Sequence, residues 1–287
     1  MRVRQVAVLA LLIALAGCGG LADDGTTRAP FSVEQTAEPT ATVTESATRA
    51  VFDPDPSRDE VGNVGVLLDT HERALDGTGY RVTAVYRETS WNGTVRRELV
   101  RDGSYPANRS RYRYYERAEG TTVGPTQETQ LFADGHTVYS RRTIGDQTDV
   151  TVLRDSDGTP FSPTDLGIFR GQQTDVLAVA FEAVAIESVD RLGHAPRGVD
   201  DPLYRLRGDT VRDRAQLSID ADASIRDASL DLIVDEDGLI REFTFKYITT
   251  RDGQTVTVLH QLVYRDVGTT SIERPAWTQN ATAGRHP

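Results

Sequence analysis

Between Ser224 and Arg265 the chain reads as three alternating strands, broken at Asp237-Gly238 and at Asp252-Gly253. An Asp-Gly pair between alternating apolar residues suits a two-residue hairpin turn, whose two central positions both need a positive φ. Taking both pairs as such turns fixes the register. Leu232 then faces Phe243, Leu230 faces Phe245 and Ala228 faces Tyr247. On the next strand pair, Tyr247 faces Val258, Phe245 faces His260 and Phe243 faces Leu262. Successive side chains alternate between faces. One face therefore collects Leu230, Leu232, Phe243, Phe245, Tyr247, Val258 and Leu262, and the other collects Asp231, Glu242, Thr244, Lys246, Thr257 and Gln261. A slip of one residue would mix the two sets. Two separate turns giving the same segregation predict a meander with one dry and one wet face, and the dry face must be covered.

The stretch before it has the same character. Tyr80–Thr89 and Thr94–Arg101 flank Asn92-Gly93, and Leu131 and Val138 flank Asp134-Gly135. Both dipeptides are expected as type I′ turns. Ser110–Arg117 alternates arginine and tyrosine, and Thr148–Arg154 is a further strand. Helical signals are few. Ser57–Asp76 opens with the capping box Ser57-Arg58-Asp59-Glu60 and stops at Gly77. Its apolar stripe is Val61, Val64, Leu68, His71 and Leu75. His71 lies on that stripe without metal-spaced partners and reads as a packed or boundary histidine. A second segment begins at Ser162-Pro163-Thr164-Asp165, breaks at Gly171 and resumes from Thr174 to about Ala185. It is apolar nearly all round, as a buried helix is. The fold class is α+β, mostly β: a long antiparallel meander sheet curved as a half-barrel over two helical segments.

The only cysteine closes the run Leu15-Ala16-Gly17-Cys18, after Arg2, Arg4 and an apolar stretch of about 11 residues. This is a lipoprotein signal, too short for a spanning helix of roughly 20 residues. Cleavage before Cys18 and a lipid on its sulfur would anchor the chain to the outer face of the cytoplasmic membrane. The mature chain would then hold no thiol for a disulfide or a cysteine-ligated metal. Gly19–Pro56 is rich in Thr, Ala, Asp, Glu and Pro without a period, and reads as a disordered tether spanning roughly 35 Å. The expected organisation is a signal peptide (1–17), a lipidated tether (18–56), a folded domain (57–277) and a disordered tail (278–287).

The formal charge is −11, and cleavage before Cys18 would make it two units more negative. Nucleic acid and anionic surfaces need a basic footprint and are not expected partners. Lys246 is the only lysine. Acidic, arginine-over-lysine composition resembles that of secreted proteins of salt-loving archaea, where dense carboxylates keep a chain hydrated.

The order of lipobox, tether, first helix, long meander and second helical segment resembles the LolA-like and LppX/LprG-like envelope lipoproteins. Leu230–Tyr247 (LDLIVDEDGLIREFTFKY) looks like the strand, Asp-Gly turn and strand of their sheets. His71–Thr83, Asn108–Tyr114 and Leu131–Arg141 resemble a family of uncharacterised haloarchaeal lipoproteins. The LolA-like resemblance implies a half-barrel whose concave face wraps helices and can hold acyl chains, with no catalytic signature to carry over.

No nucleophile elbow, zinc-protease helix, P-loop or dinucleotide fingerprint is present, so no enzyme, cofactor or metal site is expected. Acidic pairs such as Asp155/Asp157, Asp200/Asp201, Asp220/Asp222 and Asp235/Asp237 miss the twelve-residue calcium pattern and suit turns. The arginine–tyrosine strand reads as an amphipathic strand with arginines paired to acids on neighbouring strands. Asn92, Asn108 and Asn280 begin N-x-Ser/Thr sequons and are candidate glycan sites. Two helical segments are few covers for so long a sheet. The candidate ligand-binding face is therefore Leu230, Leu232, Phe243, Phe245, Tyr247, Val258, His260 and Leu262, for a lipid or isoprenoid. The alternative is a surface interaction or scaffold module for another envelope protein.

Overall fold

The computed structural model describes residues 64–155, 157–161, 172–192, 202–212 and 225–281. The expected leader and tether, the expected capping box at Ser57–Glu60, the expected helical start at Ser162–Asp165 and the pairs Asp200/Asp201 and Asp220/Asp222 lie outside these residues.

Eleven strands form one antiparallel sheet: β1 Tyr80–Ser90, β2 Val95–Tyr105, β3 Arg111–Glu119, β4 Gln127–Asp134, β5 Val138–Ile144, β6 Gln147–Val152, β7 Ser188–Leu192, β8 Leu203–Gly208, β9 Ala228–Asp235, β10 Ile240–Arg251 and β11 Gln254–Arg265. Their order is β6-β5-β4-β3-β2-β1-β11-β10-β9-β8-β7. Two meanders are thus joined by one long-range pair, β1 with β11, which runs from Arg81↔Arg265 to Ser90↔Val256. The sheet is not closed. It curves as a half-barrel, with helices α1 (Val64–Leu75) and α2 (Gln172–Ala183) on its dry side.

Each helix is seated by its apolar residues. In α1 the buried stripe is Leu67, His71 and Leu75, four apart, while Leu68 is only half-buried. The expected stripe was off by one position at Leu68, because a helix presents a band wider than one row. The imidazole of His71 meets Tyr264 edge-on at 4.9 Å, and its Nδ1 accepts the Ile240 N–H at 3.2 Å. The helix ends where expected: Gly77 takes a φ of 66°. The side chain of Arg109, itself at φ 53°, donates to the Leu75 carbonyl and so satisfies a terminal acceptor. In α2, Leu177, Ala180, Phe181 and Ala183 are buried, but Asp175 and Glu182 reach solvent. The chain leaving α2 runs antiparallel beside the end of β8 and on into β7, with Val184 bridged to Val211 and the Glu187 N–H donating to the Arg207 carbonyl. A Cβ added to Gly208 would lie 1.7 Å from the Ala185 carbonyl oxygen. Only glycine allows that approach.

The meander register is the expected one: Phe243↔Leu232, Phe245↔Leu230, Tyr247↔Ala228, then Tyr247↔Val258, Phe245↔His260 and Phe243↔Leu262. Only the second turn has the expected form. Asp252 and Gly253 take φ of 52° and 72°, as a type I′ turn requires. The first is a three-residue loop, closed by Gly238 N–H to Asp235 and by Asp235 N–H to Leu239. Its extra residue is cancelled by a bulge at Arg241, between Ile240↔Val234 and Glu242↔Ile233. The other two hairpins also depart from type I′. Gly93 takes a φ of 85° within a loop closed by Ser90 and Thr94, and Asn92 takes no positive φ. Gly135 and His136 form a two-residue connection in which only Gly135 (φ 108°) is left-handed.

Candidate functional site

The pairings align side chains of the dry, concave face into rows that cross the strands. One row runs Ala118 (β3), Leu99 (β2), Tyr86 (β1), His260 (β11), Phe245 (β10) and Leu230 (β9). The cover recedes along it. Leu230 and Phe245 are fully buried, and His260, Tyr86, Leu99 and Ala118 are half-buried. Beside it run Leu232, Phe243 and Leu262 on one side and Ala228, Tyr247 and Val258 on the other. All eight candidate face residues thus share one surface, and seven of them are buried.

A polar island interrupts this surface. Glu88 and Arg251 lie on the same face, on β1 and β10 with β11 between them. The Arg251 Nη1 donates to Glu88 Oε1 at 2.5 Å, and the Tyr86 hydroxyl donates to the same oxygen. Both side chains of the ion pair are largely withdrawn from solvent, at 20% and 6% exposure. His260 sits among aromatic rings: Tyr86 edge-on at 5.0 Å, Tyr247 stacked at 6.0 Å and Phe245 at 6.2 Å. Burial, and then the charge of Arg251, push the His260 pKa down to about 4, so the ring is neutral near pH 7. Its Nε2 meets no hydrogen-bond partner, and neither does the Oγ1 of Thr249, the next concave residue of β10 after Tyr247. Burial and the bond to Glu88 raise the Tyr86 hydroxyl well above its usual range.

Sequence reading had found His260 and missed Tyr86, Glu88 and Arg251. A signal was present: Glu88 follows Val82, Ala84 and Tyr86 at the apolar parity of its strand, and Arg251 follows Phe245 and Tyr247 on its own.

The arginine–tyrosine strand is amphipathic. Tyr112 and Tyr114 are buried in the concave core, while Arg111 and Arg113 are exposed. The pairing differs from the expected one: Arg117 bonds Glu119 of its own strand at 2.6 Å, and the cross-strand bond is made by the strand's acid, Glu116, with Arg101 of β2 at 2.7 Å on the concave face. The convex face carries pairs of its own, such as Arg205–Asp231 and Arg87–Glu98. A depression there, between Arg81, Thr83, Asp102, Ser104 and Arg265, is polar and on the opposite side of the sheet from the island. Among the described residues, no three histidine, cysteine or acidic side chains gather in metal-binding geometry, and no helix is long and apolar enough to cross a membrane. Asn92, Asn108 and Asn280 are all exposed. The side chains of Asn92 and Asn108 also cap their own turns, accepting the N–H of Thr94 and Ser110.

Fold and face together define an open antiparallel half-barrel with a helix-covered, aromatic concave surface. The chain belongs to the family of unknown function DUF7537, whose model matches residues 2–281. That match spans Leu15–Cys18 as well as the sheet. No curated protein matches the sequence. Solved structures similar to it include the lipoprotein LppX of Mycobacterium tuberculosis, at 16% identity, 71% of this chain, 96% of that chain and a TM-score of 0.26. A DUF1329 family protein from Desulfovibrio piger is similar at 12% identity, 75% and 96% coverage and a TM-score of 0.25. MucB in complex with MucA(peri) is similar at 12% identity, 76% and 96% coverage and a TM-score of 0.15. TM-scores this low leave the reading of the site to the residues themselves.

Proposed function

We propose that the protein is an exported, lipid-anchored envelope protein, non-enzymatic, whose half-barrel holds an apolar or amphipathic ligand against its concave face. The observation that carries this is the graded cover of the row from Leu230 to Ala118. Its first two members, Leu230 and Phe245, are sealed as core, and the same row continues through His260, Tyr86, Leu99 and Ala118 at half burial. An apolar row that runs out from under its cover offers a tail somewhere to lie. Anchoring rests on the lipobox at Leu15–Cys18 and on its inclusion in the family match. Cys18→Ser is expected to move the protein from the membrane fraction to the soluble one. Retention after a high-salt wash would remove the anchor. The ligand is tested by mass spectrometry of small molecules that co-purify with the intact protein from its own host. A stoichiometric lipid or isoprenoid is the expected result, and an empty, stable domain would overturn the reading.

A surface interaction or scaffold module is the second reading. The near-complete burial of Leu232, Phe243, Phe245 and Val258 favours it, since a floor that is already core needs no ligand. On that reading crosslinking on intact cells yields a protein partner. Sugars on Asn92, Asn108 and Asn280 fit either reading, because all three residues are exposed.

A further inference from the structure

The Tyr86–Glu88–Arg251–His260 island is poorly explained as core. A buried polar atom without a partner is unfavourable, and natural interiors carry few of them. Here the sheet places one, the His260 Nε2, in the half-buried stretch of the concave row. The charges beside it are spoken for: Glu88 is held by Arg251 and by the Tyr86 hydroxyl.

Resting on the proposed ligand-holding role, we infer that this island is the head-group site for an amphiphile with an uncharged, hydroxyl-bearing head. Three features select that head. An anionic head would meet the Glu88 carboxylate and a cationic one the Arg251 guanidinium, each in a place largely removed from water. A hydroxyl both donates and accepts, so it satisfies the imidazole nitrogen in either tautomer. The rings of Tyr86, Phe245 and Tyr247 around the imidazole form apolar walls that favour a compact neutral group. From there the tail would lie outward along Leu99 and Ala118, the next residues of the same row. The low pKa of His260 agrees with a ring that stays neutral while it does this.

The test uses three amphiphiles with one tail: oleyl alcohol, oleate and oleyl phosphate. The full chain, immobilised and washed free of detergent in high salt, is titrated with each. Oleyl alcohol is expected to bind at one per chain, about tenfold more tightly than either anion, the size of one hydrogen bond's worth of selection. His260→Phe keeps the ring's volume and removes the polar atom. It is expected to lower affinity for oleyl alcohol about tenfold with an unchanged melting curve, and His260→Gln to restore part of that loss. Should His260→Phe lose its cooperative melt, Leu99→Trp carries the same test by blocking the tail's path, and oleyl alcohol binding should be lost. Equal binding by the wild type and these variants, or preference for a charged head, overturns the head-group site and leaves the ligand-holding role standing. No binding of any of the three by the wild type overturns both.

Discussion

Arg251 on β10 reaches over β11 to bond Glu88 on β1, so an ion pair spans three strands of the concave face. Such a pair is unequal in what it gives and what its breakage takes. Each charge has lost water, and each depends on the other to offset that loss. Arg251→Met alone should lower stability by roughly 3 kcal/mol, because it strands the Glu88 carboxylate. Adding Glu88→Leu should recover most of it. Urea unfolding of the two single variants and the double variant gives the coupling directly, and additive losses would mean the pair is not coupled in solution.

Gly208 makes a sharper steric claim. The atoms nearest an added Cβ there are the Ala185 carbonyl oxygen and carbon, with Val184 Cγ1 beyond. Two of these are backbone, held by the Ala185 N–H to Thr210 and by the Arg212 N–H to Ala183. They have no rotamer to change. Gly208→Ala should therefore destabilise by about 2–3 kcal/mol, near the upper end of overpacking effects. Chemical unfolding checks this, and an unchanged midpoint would mean the segment after α2 does not approach Gly208 so closely.

The meander between Ala228 and Arg265 was legible because alternation and Asp-Gly turns are local signals. Even so, its first turn was read with one residue too few. The register came out right only because the bulge at Arg241 returns the residue that the longer loop adds. No local pattern reports such a bulge. The pairing of β1 with β11 was not legible, since it joins residues far apart and is set by the whole sheet. The island followed it out of reach: Tyr86 meets His260, and Glu88 meets Arg251, only once β1 and β11 are neighbours. The hairpin at Asn92-Gly93 was misjudged because Asn-Gly also serves in a loop where glycine alone is left-handed.

Phe245 stands where the register puts the largest burden. It is fully buried, pairs Leu230 on one side and His260 on the other, and touches the Tyr247 ring at 5.1 Å between centroids. Phe245→Asp would bury an unpaired carboxylate in that place. Loss of the cooperative thermal transition, followed by circular dichroism in high salt, is the expected result. A melt like the wild type's would mean that Phe245 faces solvent.

His71 and His260 give the fold an acid-sensitive edge. Burial lowers both from 6.5 to about 4, and Arg251 adds to the shift at His260. Their protonation is coupled to unfolding in one direction. Between pH 6.5 and 4 the unfolded chain takes up protons on these rings and the folded chain does not, so stability rises with pH across that window. The contribution is complete above about pH 6.5 and is lost progressively as pH falls toward 4. It amounts to roughly 3 kcal/mol for His71, and less for the half-buried His260. At His71 the geometry adds a reason, because Nδ1 accepts the Ile240 N–H and must stay unprotonated to do so. Carboxylates titrate over part of the same range, so the comparison is made against a variant. His71→Gln/His260→Gln keeps a hydrogen-bonding group at each site but cannot titrate. Its urea midpoint should vary less than the wild type's between pH 7 and pH 4.5. Parallel curves would mean that the two rings are already open to protons in the folded state.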